Sequence, residues 1–145
     1  MTSDHIERIR IHWRDVDSYG HVNNAVYLTY LEEARDAWAH EIMGAAFNFV
    51  IVRVAIDYRD ELSLEDEEVV VHCRGAGYGR SSIRTTERVI TAAGRLSAEA
   101  ESVIVAHDPE TRRARPLTLA ERATLNASID GPTGSDVREP DSAGA

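Results

Sequence analysis

The chain of 145 residues contains one cysteine, Cys73, and no lysine. A single thiol cannot close an intramolecular disulfide, so the sequence points to a reducing, cytoplasmic setting. No apolar run approaches the ~20 residues that cross a bilayer. The opening MTSDHIERIR lacks the hydrophobic segment of a signal peptide, so no membrane partner is expected. The histidines, at 5, 12, 21, 40, 72 and 107, fall at no metal-ligand spacing, and neither a metal nor a redox cofactor is implied. A nucleophile elbow around Ser81 or Ser82 is also missing. Gly75-Ala-Gly77-Tyr-Gly79 is no dinucleotide fingerprint, because its third glycine is misplaced and no helical pattern follows.

The charge is equally one-sided. A formal net charge of −9 argues against general nucleic-acid binding, which needs a basic field. All 16 basic residues are arginines, whose planar forks suit bidentate contacts with phosphate wherever they cluster. Residues 130–145 carry Asp130, Asp136, Glu139 and Asp141 against Arg138, a net −3 that leaves −6 for the body. Their Gly, Pro, Ser, Asp and Ala content predicts a disordered acidic tail behind a single domain over 1–129.

What the chain does contain is organised around Asp15–Gly44. From Asn24 onward Tyr27, Tyr30, Leu31, Ala34, Ala37, Trp38 and Ile42 follow the i, i+3, i+4 rhythm of a buried helical face. Glu32, Glu33, Asp36 and His40 fall opposite, with Arg35 placed for a surface pair with Glu32. Asn23 or Asn24 can cap the helix, and Gly44 suits its end. At 1.5 Å per residue such a helix is about 30 Å long, the width of a small domain.

The remaining segments read as strands. Over 6–17, Ile9, Ile11 and Trp13 alternate with Arg10, His12 and Arg14. Continued, that alternation turns Asp15 and Asp17 inward, which is costly unless the chain bends away or supplies hydrogen bonds; Ser18, Tyr19 and Gly20 provide the bend. Four more strands are expected, at 49–58 (with Val50, Val52, Val54, Ile56 and Tyr58 on one face), 69–74, 82–91 and 96–107. The acidic 60–68 reads as a turn. In the last strand the apolar set changes face, so a bulge or two-sided burial is expected near Ser102. Thr118 and Glu121 form a capping box for a short helix over 118–126. The fold class is therefore α+β: an antiparallel sheet of about five strands wrapped around one long helix. Its open edges favour pairing with another copy.

The sharpest chemistry lies at Asp17, Gly20 and Asn24. A glycine-containing turn can bring the Asp17 carboxylate beside the free N–H groups that open the helix. A carbonyl lodged between them would have its oxygen polarised and its carbon facing a carboxylate, which suits acyl transfer to water with Asp17 as base or nucleophile. A thioester fits, since its sulfur donates little density to the carbonyl. Spacing alone favours a simple turn and helix cap. Gly79-Arg80-Ser81-Ser82 is a second candidate, a turn with donors for phosphate, or merely a hairpin connection. Arg112, Arg113 and Arg115 read as a solvated charge run. Tyr27, Tyr30 and Trp38 read as core packing, and Cys73 as a small core residue.

RIHWRDVDSYGHVNNAVYLTYLEEAR resembles the opening motif of the hotdog-fold acyl-CoA thioesterases, in their 4-hydroxybenzoyl-CoA thioesterase-like branch. The pattern is an aromatic-ended strand, D-x-D-x-x-G, then N-x-x-Y-x-x-Y-x-E-x-A-R on a long helix. It matches at Asp15, Asp17, Gly20, Asn24, Tyr27, Glu33, Ala34 and Arg35. VAIDYRDEL and SVIVAHDPETRRARPL are similar too, so the likeness covers about residues 5–120. The resemblance implies a hotdog fold, an acyl-CoA substrate, and Asp17 as the catalytic carboxylate. It also implies the Asn24 N–H as the carbonyl-polarising amide, and the coenzyme A moiety near Arg80, Ser81 and Ser82. Tyr27 follows the motif into the substrate site. Some members carry a histidine at the position of Asn24; here His21 is the one histidine expected to line the pocket. A homodimer or homotetramer is expected. A protein of the same fold that binds acyl-CoA or an acyl carrier without hydrolysis is the competing reading, and a hotdog hydratase acting on enoyl chains a weaker one. The acyl group and its carrier stay open.

Overall fold

The computed structural model describes residues 4–129. The tail expected over 130–145 lies outside the described residues. In chain order the elements are β1 (His5–Arg10), α1 (Asn24–Met43), β2 (Phe49–Tyr58), β3 (Glu68–Tyr78), β4 (Ser82–Thr91), β5 (Leu96–Asp108), the short β6 (Arg113–Ala114) and α2 (Leu119–Ser128). All pairings are antiparallel, in the spatial order β1-β3-β4-β5-β2, with β6 folded back on the end of β5. This is the expected hotdog arrangement. No helix among the described residues is long and apolar enough to cross a membrane.

The helix begins and ends where local chemistry dictates. Asn23 has extended backbone, and its side chain accepts the Ala25 N–H at 2.9 Å. At the other end Gly44 takes φ +92°, and its N–H returns to the His40 carbonyl. Tyr27, Tyr30, Leu31, Ala34, Trp38 and Ala39 are buried against the sheet, meeting Val69, Val71, Val89 and Ile104 in one core. Full burial of a residue such as Leu31 contributes about 1.5–3 kcal/mol. Ala37, expected inside, is only half-buried, and Ala39 takes that place.

Two expectations are corrected and a third holds. The first strand stops at Arg10, and a 3-10 turn over Trp13–Asp15 rotates Trp13 out to 82% exposure, although Ile9 and Ile11 are buried as expected. β3 runs on to Tyr78, through glycines that read as a loop. Gly75 serves packing: a Cβ there would stand 2.8 Å from Cζ2 of Trp38, so the strand admits the indole only without a side chain at that position. Two-sided burial holds at Ser102, where five consecutive residues to Ala106 are buried. The neighbouring irregularity lies on β2, between Ile51 and Arg53.

Arg35 departs furthest from expectation. It does not pair with Glu32 on the surface but is buried at 4% exposure, its Nε 3.4 Å from Glu87 on β4. Nη2 donates to Ser102 Oγ at 3.1 Å, Ser102 Oγ donates to Glu87 Oε2 at 3.1 Å, and Thr85 Oγ1 donates to Glu87 Oε1 at 2.7 Å. One closed network thereby joins α1, β4 and β5. Burial outweighs these donors and pushes the Glu87 carboxyl above the usual carboxylate range. Between the unfolded and folded values the folded state therefore binds a proton that the unfolded chain releases. The contribution of Glu87 to stability is full below the ordinary Glu range and is lost as pH rises through the folded value.

Removing one partner strands a buried charge. Arg35→Met should lower the unfolding free energy by about 3–5 kcal/mol in urea titrations and steepen its fall with rising pH, whereas Arg35→Met with Glu87→Leu should recover most of the loss.

Candidate active site

The site is assembled by the loop between β1 and α1. Asp15 turns the chain: its Oδ2 accepts the His12 N–H at 2.8 Å and the Tyr30 hydroxyl at 3.0 Å, and its carbonyl accepts the Asn23 N–H at 2.9 Å. Burial and that carboxylate together raise the Tyr30 phenol well above its ordinary value, so it stays a neutral donor. An isolated bridge pairs Val16 with Val22, and within it Asp17 N–H donates to the His21 carbonyl at 2.9 Å. Gly20, at φ +84°, donates its N–H to the Asp17 carbonyl at 3.0 Å, a conformation suited to a residue without Cβ. The Asp17 side chain holds the turn too, with Oδ1 accepting the Tyr19 N–H at 3.0 Å. Both inward-pointing aspartates therefore receive the hydrogen bonds their positions demand.

The first turn of α1 offers its N–H groups unequally. Asn23 engages Ala25 through its side chain and Val26 through its carbonyl, each at 2.9 Å. The Asn24 N–H meets no acceptor among the described residues.

Asp17, His21, Asn24 and Tyr27 line a common groove of about 510 Å³, whose far wall runs from Tyr58 to Glu61. Gly20 shapes the turn beside it. Tyr27 is a buried wall residue: its hydroxyl lies 2.8 Å from Ser97 Oγ, which in turn donates to the Asp60 carbonyl at 2.6 Å. Burial raises its phenol above the ordinary range. Arg80, Ser81 and Ser82 are not brought to this groove. They join β3 to β4 with Arg80 exposed, while Ser81 and Ser82 are buried at 7% and 0%. The Arg80 carbonyl accepts the Leu117 N–H at 2.8 Å and Arg122 Nη2 at 3.1 Å, which ties this turn to the α2 end of the molecule. Arg115 is no free surface charge: it clasps Glu121 with two bonds of 2.8 and 2.9 Å.

Several groove residues were missed in the sequence, Tyr58 and Glu61 among them. Tyr58 donates its hydroxyl to the Asn24 carbonyl at 3.0 Å and packs edge-on to Tyr27, with ring centroids 5.1 Å apart. Glu61 stands 2.9 Å from His21 Nε2. Both belong to VAIDYRDEL, where the end of an alternating strand before an acidic turn was the available signal.

A family model described as the thioesterase-like superfamily matches residues 11–126. The chain belongs to that superfamily. It is 31% identical over 133 residues to the long-chain acyl-CoA thioesterase FadM of Escherichia coli K12, covering 84% of this chain and 97% of that one. It is 26% identical over 120 residues to the acyl-CoA thioester hydrolase YbgC of E. coli, covering 75% and 86%. Among solved structures, a thioesterase from Thermus thermophilus complexed with coenzyme A and Zn is 34% identical, with a TM-score of 0.76 over 88% of this chain and 95% of that one.

Proposed function

We propose that this superfamily member hydrolyses acyl-CoA thioesters to a carboxylic acid and free coenzyme A, with Asp17 as base or nucleophile and the start of α1 as the oxyanion site. One observation carries the reading: a carboxylate and an unengaged helix-opening amide line the same groove. The two curated relatives, named for acyl-CoA chemistry, support the choice of carrier. Since Tyr19 N–H holds Asp17 Oδ1, the other oxygen is left for water or for the carbonyl carbon. As that carbon is attacked, negative charge gathers on the carbonyl oxygen against the Asn24 N–H, and the C–S bond then breaks. A single oxyanion donor of this kind lowers a barrier by about 2.7–4 kcal/mol. Arg80, exposed on the β3–β4 turn, stays the candidate for a phosphate contact, with Ser81 and Ser82 beside it.

Assembly belongs to the same proposal. β2 is an edge strand of ten residues, and Val50, Ile51 and Val52 are 39%, 46% and 40% exposed. A long apolar edge of this kind favours pairing with a second copy, giving a homodimer that can pair further into a tetramer. A cytoplasmic location rests on the lone, buried Cys73.

Three measurements test this reading. Thiol release from a panel of acyl-CoAs should fall about 10²–10⁴-fold in Asp17→Asn, which keeps the Oδ1 acceptor for Tyr19. A parent that binds the panel but releases no thiol would favour the binding-only alternative. Asn24→Pro removes one N–H at the first helical position, where proline is at home and the extended Asn23 before it is compatible. Its kcat should drop about 10²–10³-fold with the melting temperature nearly unchanged. Val52→Lys should move the protein toward monomer in sedimentation experiments.

A further inference from the structure

Expulsion of an alkyl thiolate is helped by a proton delivered as the C–S bond breaks, and Asp17, having taken a proton from water, stands at the attacking side. His21 and Glu61 both line the groove and pair with each other, His21 Nε2 standing 2.9 Å from Glu61 Oε2, whereas Arg59 and Asp60 on the same wall pair with Glu99 and Arg95 outside it. Their side chains are 45% and 61% exposed, which leaves them within reach of a ligand. An ordinary surface ion pair of that exposure is held loosely. This one is fastened from below. The next residue along each segment is buried, Val22 at 3% and Leu62 at 0%, and Val22 N–H donates to the Leu62 carbonyl at 2.7 Å. The His21 carbonyl is itself bonded to Asp17 N–H at 2.9 Å, so the imidazole shares a closed turn with the carboxylate.

We infer that His21 is the acid that protonates the leaving sulfur and that Glu61 is its positioning residue, an assignment that rests on the hydrolase reading. Nε2 is the nitrogen turned to Glu61, which leaves Nδ1, without a partner among the described residues, to carry the mobile proton. The step balances. Water adds its oxygen to the acyl carbon and gives a proton to Asp17; the C–S electron pair passes to sulfur, which takes the Nδ1 proton. The proton on Asp17 then returns to His21. One water and one thioester become one acid and one thiol, with no oxidant or reductant. Glu61 orients the ring and fixes which nitrogen is left toward the substrate.

Leaving-group dependence separates this role from a structural one. Two thioesters of the same acyl group are compared, one of coenzyme A and one of thiophenol, whose arylthiolate departs without protonation. His21→Gln should lose about 10²-fold or more in kcat on the coenzyme A ester but less than about 3-fold on the thiophenyl ester. Glu61→Gln should show the same selectivity at about 10-fold, with KM within about 2-fold of the parent. Equal losses on both esters, or no loss on either, would overturn the assignment while leaving the Asp17 reading intact. A parent that hydrolyses neither ester would instead sink the hydrolase reading and this inference with it.

Discussion

The buried tie between Arg35 and Glu87 governs how the rest of the molecule is held. A helix packed only by apolar contacts can rotate and slide at modest cost, because such contacts are non-directional. Arg35 removes that freedom, since its guanidinium reaches Glu87 and Ser102 in one geometry only. A buried charge left unpaired costs far more than a shifted methyl group, so the network selects one seating of α1 even if it adds little net stability. Trp38, three residues on, repeats the constraint in steric form by occupying the space that Gly75 leaves open.

With the middle of the helix fixed, its opening turn has a defined place, and the loop before it is fitted to that place. Asp15 is the coupling residue. It fastens the end of β1 to α1 through the Tyr30 hydroxyl and the Asn23 N–H. Asp17 then lies on a turn closed at both ends by backbone bonds, so its carboxylate is held by fold interactions rather than by a mobile segment. Preorganisation of this sort is what allows a backbone amide to stabilise a developing oxyanion without first reorganising.

Local chemistry was legible in the sequence wherever partners lie close along the chain. The cap at Asn23, the stop at Gly44 and the box of Thr118 with Glu121 appear as read, the last with bonds of 2.8 and 3.1 Å. The strand over Ser82–Thr91 appears with the expected bounds. The groove was half legible: Asp17, His21, Asn24 and Tyr27 come from one continuous motif, so spacing and family likeness together put them side by side. Its opposite wall was not. Tyr58 and Glu61 arrive through sheet pairing, which local periodicity does not encode. Arg35 was misread for the same reason, because its partner is 52 residues away and an arginine on a helix is ordinarily a surface residue. The third strand is expected to end at Arg74 because glycine weakens strands, yet it runs on through Gly75 and Gly77, and at Gly75 the missing side chain is what the indole requires.

The strand order carries a consequence for how the protein is made. β3, β4 and β5 pair as sequence neighbours, whereas β1 joins β3 and β2 joins β5 from far along the chain. The residues that line the candidate groove therefore leave the ribosome before the template they dock onto exists. Until β5 is synthesised, β2 and the apolar side of α1 have no sheet to cover them. The meander is the natural nucleus, since its loops close at the lowest entropic cost. During translation the amino-terminal half thus keeps its apolar faces uncovered the longest, and the groove is the last part of the molecule to acquire its shape.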